Sequence, residues 1–346
     1  MPLVTAYATP AAGAPLEASS VEIRDVGDHD VLIDVAFTGL CHTDIHLSRG
    51  EWGPAIFPMV PGHEIAGTVA AVGSAVTTHQ VGDRVGVGCL VDSCGECERC
   101  LEGQEQQCVR GATDTYNAMG RDGKPTYGGY AKQVVVDASF VLSIPEDLPL
   151  DEAAPLLCTG ITTYSPLKRW GAGPGKKVAV VGLGGVGHVA VKIARAMGAE
   201  VTILSQSLSK QDDGLRLGAS DYRATSDPAT FDELAGRFDI VLSTVSAPID
   251  LGAHLGLVRP GGAIVMLGIP DDALPLHAFS LIVGNKVLTG SMIGGIAETQ
   301  EMLDFCAGHG IGAEIETIAA LEINESYTRM LASDVRYRFV LDAGTI

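Results

Sequence analysis

The chain has 346 residues, 46% hydrophobic and 19% charged, with 42 acidic against 23 basic side chains and a formal net charge of -19. That length holds material for about two domains, and so acidic a surface repels phosphate backbones, which argues against a nucleic-acid partner. No apolar run approaches the ~20 residues that span a bilayer, and Met1-Pro2-Leu3-Val4-Thr5 lacks the basic-then-apolar pattern of a signal peptide, so a cytoplasmic protein without a membrane partner is expected.

The front of the chain reads as short β-like runs, the clearest at 31–37 between an Asp/Gly turn and Gly39. Next come Cys41-His42-Thr43-Asp44-Ile45-His46, a loop with Trp52, and Gly62-His63-Glu64. A zinc ion that keeps one coordination position open takes three ligands from Cys, His and Asp/Glu. Cys41 and His63 qualify and Glu64 adjoins them; a third thiolate has to come from elsewhere. Residues 65–73 and 81–87 read as further strands, the first with glycines at close-approach or bulge positions.

Cys94, Cys97, Cys100 and Cys108 follow in a C-x2-C-x2-C-x7-C pattern. Eight cysteines distributed this way do not make a secreted disulfide framework. Four thiolates at these spacings close around one tetrahedral zinc, with an iron–sulfur cluster or four unrelated thiols as competing readings. A metal there would staple a lobe that has few apolar residues of its own. Cys89 and Cys306 lack any such pattern and read as small buried residues.

A turn and strand at 127–136 lead to Pro145 and Pro149, and 151–168 reads as one helical run carrying Cys158. The period then changes. Residues 176–181 form a short apolar strand, Gly182-Leu183-Gly184-Gly185-Val186-Gly187 follow at once, 189–197 has helical spacing and 200–204 is a second strand. This is the βαβ setting that a dinucleotide fingerprint requires: Gly182 for the tight turn, Gly184 for approach of a pyrophosphate, Gly187 for helix–strand packing. Strands at 238–242, 262–268 and 286–290 alternate with helical or loop segments, as in a doubly wound parallel sheet. A helix at 297–307 and a strand at 338–342 close the chain, which has no internal repeat.

An NAD-selective unit ends its second strand with a carboxylate for the ribose 2′-hydroxyl. Here that place reads Ser205-Gln206-Ser207-Leu208-Ser209-Lys210, with no acid before Asp212. Hydroxyls, an amide and an ammonium suit a 2′-phosphate, so NADP(H) is expected.

Together these motifs resemble the zinc-dependent medium-chain dehydrogenase/reductase superfamily. Cys41-His42-Thr43-Asp44-Ile45-His46, Cys158-Thr159-Gly160-Ile161-Thr162 and the Ser-rich segment at Ser205 look most like its cinnamyl alcohol dehydrogenase branch. The resemblance implies an α/β chain: a GroES-like β-rich catalytic domain from 1–154 and 295–346, with a structural-zinc lobe at 89–110, and a Rossmann domain at 155–294. It implies Cys158 as the third ligand of a catalytic zinc with Cys41 and His63, Glu64 as the neighbouring carboxylate, and Asp44 as the group orienting the histidine. Two zinc ions per chain and NADP(H) follow. Thr43 and His46 look like the proton relay, and His42, Thr162, Thr244, Gly268, Ser291, Met292 and Ile293 like cofactor contacts beside the glycine turn. Trp52 and Met292 match substrate-pocket positions.

The chain also departs from that pattern. Where the plant lignin enzymes carry a tryptophan after Cys108, this chain reads Gly111-Ala112-Thr113-Asp114-Thr115, and Met292 stands where many relatives have Phe. The expectation is therefore an alcohol dehydrogenase working mainly as a reductase of varied aromatic and aliphatic aldehydes. The branch is commonly dimeric, and 286–293 is the expected contact. Two alternatives are weighed: reduction of a conjugated C=C or iminium bond, and a non-catalytic NADPH-binding redox sensor. The intact ligand and relay motifs argue against both.

Overall fold

The computed structural model describes residues 1–346, and they divide into two units, 1–161 with 294–346, and 162–293. The expected boundary at 154/155 is displaced. Leu156 and Leu157 are fully buried in the first unit, where a Cβ on Gly86 would stand 2.8 Å from Leu157. The second unit begins only inside the helix Thr159–Arg169.

The first unit is built on the strand Asp30–Gly39, whose buried positions Val31, Ile33 and Val35 alternate along one face. Along one edge it pairs antiparallel with Ile65–Val72; along the other it pairs first with Gln133–Asp137 and then with Arg338–Asp342. The end of the chain therefore lies beside the start of the stretch 39–64. A separate hairpin, Leu3–Ala8 with Glu17–Glu22, joins a core that includes Leu40, Ile45, Tyr130, Tyr327 and Phe339. The helix Ile323–Leu331 buries Ile323, Tyr327 and Met330, spaced four and three residues apart on one face.

The second unit is a six-stranded parallel sheet in the spatial order Asp221–Ala224, Glu200–Ser205, Lys177–Val181, Phe238–Ser243, Val258–Met266, Val287–Gly290. Numbered along the chain this is 3-2-1-4-5-6, the dinucleotide-binding order, in which the ligand sits where the strand order reverses, at the carboxyl end of the first strand. Val178, Ala179 and Val180 are wholly inaccessible, as a central parallel strand covered on both faces requires. No helix is long and apolar enough to cross a membrane.

Candidate active site and metal centres

The strand Asp30–Gly39 delivers Cys41 to the N-cap of a short helix, His42–Ser48. Asp44, three residues into the helix, turns back and accepts the Cys41 N–H at 2.8 Å, satisfying one of the helix's free amides. Its other oxygen accepts the Gly62 N–H at 3.2 Å and faces His63 Nδ1 at 3.4 Å. This contact leaves Nε2 as the donor nitrogen of His63. Cys158 ends the turn Ala154–Leu157. The expected single helix over 151–168 is broken there, and the break is what presents the thiol. The donor atoms of Cys41, His63, Glu64 and Cys158 all lie within 4.8 Å of one another.

These four groups behave as an electrostatic unit. A hydrogen bond from Cys158 holds the Cys41 thiol well below its ordinary range, and the same contact pushes Cys158 up. Burial opposes a charged His63, but Cys89 and Asp44 outweigh it and raise the imidazole. A thiolate, a buried imidazole tied to a carboxylate and a second thiol, gathered without a disulfide, form the donor set of an open zinc site. Burial pushes Glu64 up to about 7, against the pull of Arg338.

Four neighbours of this site have no signal in the sequence. Arg338, from the last strand, places one guanidinium nitrogen 2.5 and 2.7 Å from the two Glu64 oxygens and 2.6 Å from the Leu40 carbonyl, all buried. Tyr130 donates to Asp44 at 3.3 Å. Tyr116, one residue past the segment expected to lack an aromatic, lies against the His63 ring with centroids 5.9 Å apart. Cys89 is half-buried and close enough to push up both the Cys158 thiol and the His63 imidazole, so it belongs to the site rather than to the core; Cys306 is fully buried, as expected.

Thr43 Oγ1 lies 3.5 Å from Cys41 Sγ. His46 has Nδ1 2.6 Å from Glu51 Oε2, and its ring stacks on Trp52 at 4.5 Å. Trp52 is 40% exposed, which excludes a core role. His42 is exposed at the start of its helix.

The second cluster gathers Cys94, Cys97, Cys100 and Cys108 within 4.8 Å. Tetrahedral zinc with Zn–S near 2.3 Å requires sulfurs about 3.8 Å apart, and Cys100 Sγ lies 3.8 Å from Cys94 Sγ and 3.5 Å from Cys97 Sγ. The Cys94 and Cys97 amides point at sulfurs, both at 3.4 Å, which suits thiolates. Hydrogen bonds from Cys100 and from the backbone hold Cys97 at about 6. The set is closed, with no water or substrate position.

In the second unit Gly182 adopts φ +95°, open to glycine but not to most residues. A Cβ on Gly187 would stand 2.1 Å from the Gly182 carbonyl, whereas none of the protein's other atoms lies within 4 Å of that position on Gly184. The middle of the turn is thus open for an approaching pyrophosphate, with the helix Gly187–Ala196 behind it. Leu183, Gly185 and Val186 complete the turn, and the Lys210 ammonium donates to the Leu183 carbonyl at 3.0 Å. Gln206 and Ser207 are exposed and Ser205 half-buried at the end of the strand; Glu200, at its other end, is paired with Arg237. Thr244 donates to the Val181 carbonyl at 2.8 Å, and Gly268 packs where a Cβ would meet the Val245 carbonyl at 2.1 Å. Ser291, Met292 and Ile293 follow the strand Val287–Gly290, with Met292 56% exposed; Thr162 is half-buried in its helix.

Residues 27–146 match the alcohol dehydrogenase GroES-like domain and residues 185–308 the zinc-binding dehydrogenase domain. The chain is 62% identical over 347 aligned positions to NADP-dependent alcohol dehydrogenase C 1 of Mycolicibacterium smegmatis, covering 100% of this chain and 99% of that protein. Among solved structures it resembles a cinnamyl alcohol dehydrogenase from Sorghum bicolor, with TM-score 0.96, 43% identity and coverage of 99% and 98%. The cinnamyl alcohol dehydrogenase of Helicobacter pylori, solved with NADP(H), gives TM-score 0.93 and 38% identity over 99% and 98% of the two chains.

Proposed function

The chain belongs to the zinc-dependent medium-chain dehydrogenase/reductase superfamily, in its cinnamyl alcohol dehydrogenase-like branch, and from that premise we propose the following assignment of its residues and substrates. It is an NADP-dependent alcohol dehydrogenase, interconverting a primary alcohol and its aldehyde. It works mainly as a reductase of varied aromatic and aliphatic aldehydes. The observation that carries the reading is the convergence of Cys41, His63 and Cys158 with Asp44 behind the histidine.

Zinc, when bound, supplies a Lewis acid for the alcohol or aldehyde oxygen, and the nicotinamide supplies or accepts the hydride. Cys41, His63 and Cys158 hold the catalytic zinc, while Asp44 keeps the His63 proton on Nδ1. Arg338 keeps the Glu64 carboxylate beside the site without leaving a bare buried charge. The Thr43 hydroxyl would give a proton to the substrate oxygen in aldehyde reduction and take it back in alcohol oxidation, with His46 exchanging that proton with solvent. Glu51 on Nδ1 and Trp52 on the ring face hold that imidazole at the surface, leaving Nε2 to exchange. The four-cysteine lobe takes a second, structural zinc. Gly182–Gly187 cradle the pyrophosphate, and Ser205, Gln206, Ser207 and Lys210 receive the 2′-phosphate, for which the missing acid at the strand end is the support. Trp52 and Met292 line the pocket, and His42, Thr162, Thr244, Gly268, Ser291 and Ile293 contact the cofactor.

The functional unit is a homodimer. The strand Val287–Gly290 is an outer strand of its sheet, followed by exposed Met292 and preceded by exposed Phe279 and Ile282, which a second copy would cover. Light scattering on the purified protein is expected to give twice the chain mass; a monomer overturns this.

The decisive experiment is a panel of benzaldehyde, cinnamaldehyde and medium-length aliphatic aldehydes with NADPH and NADH. Turnover of several with NADPH is expected. A clear NADH preference, or no turnover of any, overturns the assignment. Cys158→Ala is expected to abolish turnover while retaining NADPH binding, and full activity in that variant would remove Cys158 from the ligand set.

A further inference from the structure

Asp44 is completely buried; four donors reach its two oxygens within hydrogen-bond or ion-pair distance, and a fifth group, the Tyr116 hydroxyl, also faces the carboxylate. Three lie in the stretch that carries the ligands: the Cys41 and Gly62 amides and the His63 ring. The fourth is the Tyr130 hydroxyl, which shares Oδ2 with the Cys41 amide and comes from 86 residues further along the chain. Tyr130 is 0% exposed, and its backbone is pinned at both groups: its N–H donates to the Pro61 carbonyl at 3.0 Å, and its carbonyl accepts the Tyr7 N–H at 2.8 Å. Gly128 and Gly129 permit that approach, since a Cβ on either would stand 2.3 and 2.5 Å from Pro61, Thr38 or Ile65 atoms. Behind Tyr130 a second hydroxyl, Tyr327 on the helix Ile323–Leu331, donates to the Tyr130 oxygen at 3.3 Å. Filling the cavity needs only a phenyl ring. Two phenols in series ending on a buried carboxylate do more: they direct that carboxylate.

We propose that Tyr130, backed by Tyr327, is a positioning residue of the catalytic metal centre. It holds Asp44 Oδ2 so that Oδ1 stays on His63 Nδ1, which keeps Nε2 aimed at the ligand cluster. The inference rests on the reading of Cys41, His63 and Cys158 as zinc ligands. Without the phenol, Oδ2 keeps one donor, the carboxylate turns, and His63 loses its fixed tautomer and tilt. Loss of a partner in such a chain lowers metal affinity by about 10–100-fold.

The test is zinc release from the holoenzyme into a chromogenic chelator, with Cys158→Ala identifying which of the two zinc phases belongs to the catalytic site. Tyr130→Phe is expected to speed that phase by about tenfold or more, to leave the other phase unchanged, and to shift the visible bands of the cobalt-substituted enzyme. Tyr327→Phe is expected to speed the same phase less. Tyr7→Phe, in the same core but outside the chain of hydroxyls, is expected to change neither. Release from Tyr130→Phe within about twofold of the wild type, with unchanged cobalt bands, overturns the proposal. If Tyr130→Phe does not fold, Tyr327→Phe decides, and an unchanged release rate there overturns it. A wild-type protein holding one zinc that Cys158→Ala does not remove would overturn the metal reading itself, and this inference with it.

Discussion

Glu64 and Arg338 show how much one buried pair can demand of its surroundings. The carboxylate is held between burial, which favours its neutral form, and the guanidinium, which favours the charged one. Space for it exists because residue 39 is glycine: a Cβ there would stand 1.9 Å from a Glu64 oxygen. Breaking a buried pair by removing one partner costs about 3–5 kcal/mol, whereas replacing both by neutral groups costs far less. Arg338→Met is therefore expected to lower the thermal midpoint sharply, and the double change with Glu64→Gln to recover most of the loss, as read by calorimetry. Gly39→Ala is expected to resemble Arg338→Met, because it evicts the same carboxylate. At the cofactor turn, Lys210→Ala is expected to raise the Kd for NADPH by about tenfold, the worth of roughly one charge-assisted hydrogen bond, and to leave the Kd for NADH unchanged. An equal loss for both cofactors would place the lysine's role in its bond to the Leu183 carbonyl instead.

Within the glycine turn, two residues of the same type carry opposite consequences. Gly184→Val meets open space in the free protein, so the midpoint should hold while NADPH binding, measured by fluorescence, collapses. Gly187→Ala meets the Gly182 carbonyl and should destabilise the nucleotide unit before any ligand is added. The helix Leu251–Leu257 carries His254, buried, edge-on to Phe231, with Nδ1 2.7 Å from the Asp250 carbonyl. Burial lowers its pKa from 6.5, against the raising effect of Asp250. A depressed histidine contributes stability above its unfolded pKa and loses it as pH falls. The midpoint should therefore drop as pH goes below about 6.5, and His254→Leu should flatten that slope. These elements differ in how plainly the sequence announces them. The parallel strands and the glycine turn are legible because apolar runs and fixed spacings are local signals. The helix His42–Ser48 is not, having too few apolar positions to show a period, and the break before Cys158 is set by Leu156 and Leu157 packing into the first unit. Tyr116, Tyr130, Tyr327 and Arg338 are single polar residues in unremarkable runs, and only the fold brings them to the cluster of Cys41, His63, Glu64 and Cys158 and the Asp44 behind it.

Taken as a whole, the molecule carries a net charge of -19, so its folded form repels itself more than its expanded form does. Screening shortens the Debye length from ~30 Å at 0.01 M salt to ~10 Å at 0.1 M, and the thermal midpoint is expected to rise over that interval; a fall would show that attractive surface pairs dominate. The strand Arg338–Asp342, paired to the end of Asp30–Gly39, has a further consequence in time. Arg338 follows Glu64 by 274 residues, and at about 5–20 residues per second a ribosome takes tens of seconds to cover that distance. During this interval the stretch around Cys41 stands without Arg338, Cys158 and the whole second unit are added before it, and Glu64 lacks its buried guanidinium partner. The nucleotide unit, whose strands are consecutive in the chain, can close while synthesis continues. The first unit waits for its final strand, so, on the proposed ligand set, zinc capture at Cys41, His63 and Cys158 is expected to follow release of the chain; zinc held at that site by ribosome-bound chains that stop short of Arg338 would show otherwise.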